Sequence, residues 1–142
     1  MMSDLLCFQV LDKVYGIPLN IVKESFDIQK VTPIPRFNQF FTGLCSHKGI
    51  IYPVLSFSRL CKEKVLENHG CMLLLHVDKY QVVLQVDDIP IIIYKNELID
   101  DIIYKGGNDV IKIDKICQNN DTCIYVLNMK KIIDILSKKI LV

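Results

Sequence analysis

The chain has 142 residues and a formal net charge of +1, with 51% hydrophobic and 23% charged residues. That is enough for one globular domain, or two small lobes sharing a core, and too apolar for a disordered chain. Lysines are scattered among acids without the basic face or stripe of a nucleic-acid binder, so no nucleic-acid partner is expected.

Alanine and tryptophan are absent while Ile, Val and Leu abound, a balance that favours strands over long helices. The amino terminus, MMSDLLCFQV, has no basic start and Asp4 breaks its apolar run, so no export signal is expected. No segment reaches the ~20 apolar residues that span a bilayer, so direct membrane insertion is not expected. The six cysteines then read as reduced thiols of a cytoplasmic protein.

Leu6, Phe8 and Val10 alternate with Cys7 and Gln9, which predicts a strand with one better-buried face. Asp12-Lys13 turns the chain, and Val14-Tyr15-Gly16-Ile17 returns until Pro18 closes the strand. Asn20 can cap a helical turn over Ile21 to Ser25, with Glu24 at its exposed end. Pro33 and Pro35 forbid a regular helix between Gln29 and Phe37, an extended segment that Val31 and Ile34 would anchor. Phe40 and Phe41 are expected beneath a surface knot of polar residues, Ser46-His47-Lys48, which turns on Gly49. In the apolar strand Ile50 to Leu55, Pro53 predicts an edge strand, a strand start or a bulge, since proline donates nothing to a ladder.

The charged stretch from Cys61 to Gly70 is the expected boundary between lobes, about 14–62 for one and 69–142 plus the amino-terminal strand for the other. Cys71 to Val77 and Tyr80 to Val86 predict a hairpin around Asp78-Lys79, and Ile91 to Ile93 resumes the strand pattern after Pro90. Asn96 to Ile103 reads as short helical or irregular, and Lys105 to Asn108 as a loop. Two further strands, Val110 to Cys117 and Cys123 to Leu127, flank a polar turn. Asn128 then caps a helix from Met129 to Leu136, with Ile132, Ile133 and Leu136 on one face. Lys130-Lys131 and Lys138-Lys139 fit its solvated side. The Asp-Lys hairpin occurs twice, and Ile51-Tyr52-Pro53-Val54-Leu55 is echoed by Ile124-Tyr125-Val126-Leu127 at nearly the same offset. Repeated short strands of this kind predict two small β-barrels side by side.

Chemistry-bearing residues are sparse. On a strand Cys45 and His47 share a face that Ser46 does not, and no orienting acid or nucleophile elbow accompanies them. Cys61, His69, Cys71 and His76 lack the close paired ligands of a structural zinc site. Cys117 and Cys123 flank a turn and could approach across a hairpin, although a free buried cysteine is usually a small hydrophobe. No phosphate-binding glycine loop is present. No catalytic residue, metal or cofactor is expected.

Four segments together resemble the CheW family of chemotaxis coupling proteins: Phe8…Tyr15-Gly16-Ile17, Ile21-Val22-Lys23-Glu24, Val31-Thr32-Pro33-Ile34-Pro35, and Gly43…Lys48-Gly49-Ile50-Ile51-Tyr52-Pro53-Val54. The second half agrees more loosely, through Val83-Leu84-Gln85-Val86-Asp87 and the strand and helix at the end. The resemblance implies a mainly β fold of two intertwined five-stranded β-barrels with a short carboxy-terminal helix. It implies a non-enzymatic adaptor that joins the cytoplasmic tip of a chemoreceptor (a methyl-accepting chemotaxis protein) to a CheA-type histidine kinase. Its place would be cytoplasmic, at membrane-associated receptor arrays.

In that family a glutamate of the first short helix faces an arginine before the glycine near the receptor groove, and the matching positions here are Glu24 and Lys48. Lysine keeps the charge but loses the planar fork of arginine. Ser46-His47-Lys48-Gly49 stands where the family has asparagine-leucine-arginine-glycine, Ser56 replaces an aspartate, and Ser25 an apolar residue. Partner contacts are therefore assigned chiefly to Val22, Val31 and Ile34, with Glu24 and Lys48 fixing the orientation and His47 and Gly49 also counted as partner-binding. The alternatives are a small metal- or thiol-dependent enzyme using the Cys/His set, and a CheW-like scaffold in a motility pathway outside chemotaxis.

Overall fold

The computed structural model describes residues 3–35, 39–62, 70–107 and 110–140. Strands dominate: β1 (Leu5–Val10), β2 (Lys13–Pro18), β3 (Val22–Phe26), β4 (Phe41–His47), β5 (Ile50–Ser56), β6 (Cys71–Val77), β7 (Tyr80–Val86), β8 (Ile91–Ile93), β9 (Ile99–Gly107), β10 (Lys112–Asn119) and β11 (Thr122–Leu127). Two helices follow strands directly, α1 (Phe57–Leu60) after β5 and α2 (Met129–Ile140) near the end. No helix among the described residues is long and apolar enough to cross a membrane.

The strands form two sheets, one in the order β8-β1-β2-β11-β10-β9 and the other β3-β6-β7-β5-β4. The echo in the sequence is a structural repeat. Hairpin β1–β2 matches hairpin β6–β7, and each returning strand takes a parallel neighbour, β11 beside β2 and β5 beside β7. Each of those neighbours then leads into a helix. The sheets do not divide the chain at 62–69. β6 and β7 bond to β3 and β5, while the amino-terminal hairpin bonds to β8 and β11. The two lobes are therefore interlaced.

Each sheet curls around its own apolar cluster. Leu5, Cys7, Ile93, Leu98, Cys117, Ile124 and Val126 fill the six-stranded lobe. Cys45, Tyr52, Val54, Met72, Leu74 and Val83 fill the five-stranded one. A larger cluster lies between the lobes and takes residues from both, with Leu6, Phe8, Tyr15, Leu55, Leu73, Leu84 and Leu127 among them. Strands β1, β6 and β7 are thus buried on both faces, so Leu5 through Phe8 are all buried and the single better-buried face expected for β1 is not observed. Phe57 of α1 is the hub of this shared core, fully buried and edge-on to Phe8 (5.0 Å between ring centres) and Tyr15 (4.9 Å). Phe40 and Phe41 also join the shared core, at the far end of β4 from the polar knot and not beneath it.

Pro53 sits in a strand that is peripheral in its first half and central in its second. β5 pairs with β4 from Ile50 onward, but its parallel ladder with β7 begins only at Val54. The missing N–H of proline falls just outside that second ladder. Asn96 to Ile103 is a 3-10 turn, Lys95–Glu97, followed by β9, and the expected loop over Lys105–Gly107 is the end of that strand. Two register shifts against β10 break the period-two pattern by which such a strand is read. Asn108, Phe37 and His69 lie outside the described residues. Helix α2 begins as expected, with Asn128 Oδ1 accepting the Lys131 N–H at 3.0 Å, and it runs one turn further.

Four two-residue hairpin loops begin with a residue at positive φ: Leu11 (+54°), Lys48 (+51°), Asp78 (+54°) and Asn120 (+54°). Asp and Asn tolerate this region, whereas Leu11 pays a steric cost there with its side chain 70% exposed. Gly43 has φ +147°, and a Cβ there would lie 2.1 Å from the Thr32 carbonyl oxygen. That approach allows the paired bonds Thr32 N–H to Leu44 O (2.8 Å) and Leu44 N–H to Thr32 O (2.9 Å). In urea unfolding, Gly43→Ala is expected to cost about 2–4 kcal/mol by breaking that bridge. Leu11→Asn is expected to gain roughly 0.5–1 kcal/mol by relieving its turn.

Candidate functional site

β3 and β4 are the two ends of the five-stranded sheet, and no ladder joins them. The helical turn expected over Ile21 to Ser25 is instead a 3-10 turn, Leu19–Ile21, followed by β3. Pairing with β6 overrides the local capping signal of Asn20. β3 carries a bulge: Val22 lies opposite Leu75 and Glu24 opposite Leu74, leaving Lys23 as the extra residue. Leu75 faces the core between the lobes, whereas Leu74 faces the interior of the five-stranded lobe. The bulge therefore sends Val22 and Glu24 to opposite sides of the sheet. Val22 packs half-buried on the shared core, and Glu24 goes with Phe26, which lies opposite Met72 of the lobe interior.

β4 brings Cys45 and His47 to that same interior, with Ser46 exposed between them, as strand alternation requires. The next two residues, Lys48 and Gly49, both have positive φ and form the tight loop into β5. Across the seam His47 Nε2 approaches Glu24 Oε1 at 3.0 Å, and Lys48 Nζ approaches the same oxygen at 2.7 Å. The imidazole lies flat on the Phe26 ring, with centres 3.9 Å apart and planes 9° from parallel. Hydrogen bonds from Lys48 and then from His47 hold the Glu24 carboxyl below the usual glutamate range.

Among the residues assigned from sequence, Glu24, His47, Lys48 and Gly49 thus come together, although His47 is buried while Lys48 is exposed. Val31 packs on the interior cluster of the five-stranded lobe, in the segment that Thr32 staples to β4. Ile34 is 40% exposed, contrary to its expected role as a core anchor. Two apolar residues of this end were assigned only to the strand. Ile50 and Ile51 are 54% and 66% exposed, directly after the Lys48-Gly49 loop. Their signal was available: adjacent strand residues point to opposite faces, so two isoleucines beside a turn cannot both enter one core. Phe26 was also missed, because its role depends on the bulge.

The other constellations are dispersed. Cys71 is buried and His76 exposed, on alternate faces of β6. Cys117 lies opposite Ile124, and Cys123 opposite Gln118, so the two cysteines sit on different faces of their hairpin. No disulfide joins the six cysteines, all of them among the described residues, and burial pushes the thiols of Cys45 and Cys71 up, away from the thiolate. Among the described residues no group of three or more His, Cys, Asp or Glu is placed to hold a metal ion.

Because the Glu24 carboxyl is depressed in the folded protein, its pairing stabilises the fold above the unfolded-state value of about 4.3. That stability is lost as pH falls through the lower folded value. The melting temperature of the wild type is therefore expected to drop more steeply than that of Glu24→Gln in this acid range; parallel slopes count against the pairing.

The family described as the CheW-like domain matches residues 4–137. Protein FrzA of Myxococcus xanthus is 36% identical over 57 residues, which is 40% of this chain and 36% of FrzA, so the match spans about a third of that relative's length. The crystal structure of the scaffolding protein TtCheW from Thermoanaerobacter tengcongensis superposes with a TM-score of 0.73 at 18% identity, covering 90% of each chain, a likeness of fold. With a family match running from the residue before β1 well into α2, the chain belongs to the CheW-like domain family.

Proposed function

We propose that this protein is a non-enzymatic adaptor that binds the cytoplasmic tip of a chemoreceptor and couples it to a CheA-type histidine kinase, in the cytoplasm at membrane-associated receptor arrays. The observation that carries the reading is the end of the five-stranded lobe, where a carboxylate and an ammonium sit beside exposed isoleucines on a CheW-like domain. A receptor tip is a bundle of amphipathic helices, and an apolar patch with a small charged centre is the surface such a helix takes. The exposed Ile50, Ile51 and Ile34 supply apolar area, while Val22 and Val31 are partly buried, on the shared core and on the lobe interior respectively. Glu24 and Lys48 set register more than affinity, as exposed charges do.

An enzyme built on the Cys/His set gains no support from the dispersed thiols and imidazoles. The adaptor reading is tested by mixing the protein with a receptor signalling-tip fragment and a CheA-type kinase. Co-assembly with altered autophosphorylation is expected, and failure to enter the complex overturns the reading. Lys48→Glu sets two carboxylates together at the exposed loop. It is expected to keep the melting temperature within about 3 °C of wild type and to weaken receptor-tip binding roughly tenfold. Unchanged affinity removes Lys48 from the site.

A further inference from the structure

We propose that His47 is a positioning residue that fixes Glu24 across the open seam, so that the carboxylate meets an N–H donor of the docking partner. This rests on the adaptor reading and adds the chemistry of the contact.

Lys48 alone cannot set Glu24. Its side chain is 72% exposed, on a flexible stem, and such surface pairs hold geometry weakly. His47 differs in each respect. Its side chain is 10% exposed and its ring plane is fixed by the stack on Phe26. An ionised carboxylate only accepts hydrogen bonds, so Nε2 of His47 carries the hydrogen and donates it to Oε1. The imidazole is thereby held by packing on one side and by a charge-assisted bond on the other.

Both contacts to Glu24 fall on Oε1, while a carboxylate can accept about four hydrogen bonds over its two oxygens. Oε2 has no hydrogen bond among the described residues, and the Glu24 side chain is 31% exposed. A held carboxylate with spare acceptor capacity, bonded to His47, whose register partner on β5 is the exposed Ile50, suits an ammonium, guanidinium or amide N–H from a partner helix. Lys48 offsets the charge, so a neutral amide donor also fits.

The test uses His47→Leu, which keeps an apolar side chain on Phe26 but removes the donor, and His47→Gln, which restores an N–H. The Glu24 carboxyl is followed by carbon NMR through a pH titration, and affinity is measured for a receptor signalling-tip hairpin. In His47→Leu the Glu24 titration is expected to move up and hairpin affinity to fall about five- to tenfold. His47→Gln is expected to recover affinity to within about twofold. A Glu24 titration identical in wild type and His47→Leu overturns the assignment, whether or not the hairpin binds. A shifted titration with unchanged affinity overturns the positioning role. Wild-type protein that ignores the hairpin overturns the adaptor reading, and with it the contact assigned to Glu24.

Discussion

Glu24 closes with its side chain a seam that the backbone leaves open. In the five-stranded sheet β3 and β4 are both edges, and exposed edges invite unwanted pairing. Here the gap is managed in two places. The extended segment after β3 is stapled to β4 by the Thr32–Leu44 bridge, and nearer the rim Phe26, Glu24, His47 and Lys48 meet across it. The first device depends on Gly43, because a side chain there would enter the Thr32 carbonyl. The second depends on the bulge at Lys23, because a regular strand would leave Glu24 on the same side as Val22. A local irregularity in each edge strand thus assembles the charged end of the lobe.

The remainder of the molecule supplies rigidity behind that end. Central strands buried on both faces explain the continuous apolar runs of β6 and β7, which an ordinary half-exposed antiparallel sheet would not have. α1, only four residues long, is held by its position: Ser56 caps it, accepting the Arg59 N–H at 3.3 Å, and Phe57 fills the space among Phe8, Tyr15 and the surrounding aliphatics. Such a short helix has little stability of its own, so the burial of Phe57 and Leu60 holds it.

Local chemistry made much of this readable from the sequence. Hairpins announced themselves at Asp12, Asp78 and Lys48-Gly49, and α2 at Asn128, because turns and caps are decided by adjacent residues. The repeated strand pattern pointed correctly to two similar lobes. Features that needed a partner distant in sequence were not legible. Asn20 suggested a helix where β6 imposes a strand, and the bulges of β9 disguised a strand as a loop. At the site, the Glu24–Lys48 pairing was legible through family resemblance, whereas the burial of His47 against Phe26 required the register of β3 to be known.

The interlacing of the lobes bears on how the chain emerges from the ribosome. Hairpin β1–β2 is made first, yet its parallel neighbour β11 is made last. Strands β3 to β7 complete their own sheet in between, without any strand from outside that interval. During synthesis the five-stranded lobe can therefore close while Leu6, Phe8, Tyr15 and Ile17 still lack the part of the shared core that comes from β11 and α2, including Leu127, Ile132 and Leu136. The nascent chain carries an apolar hairpin ahead of a finished lobe until β11 has been made and can pair with β2.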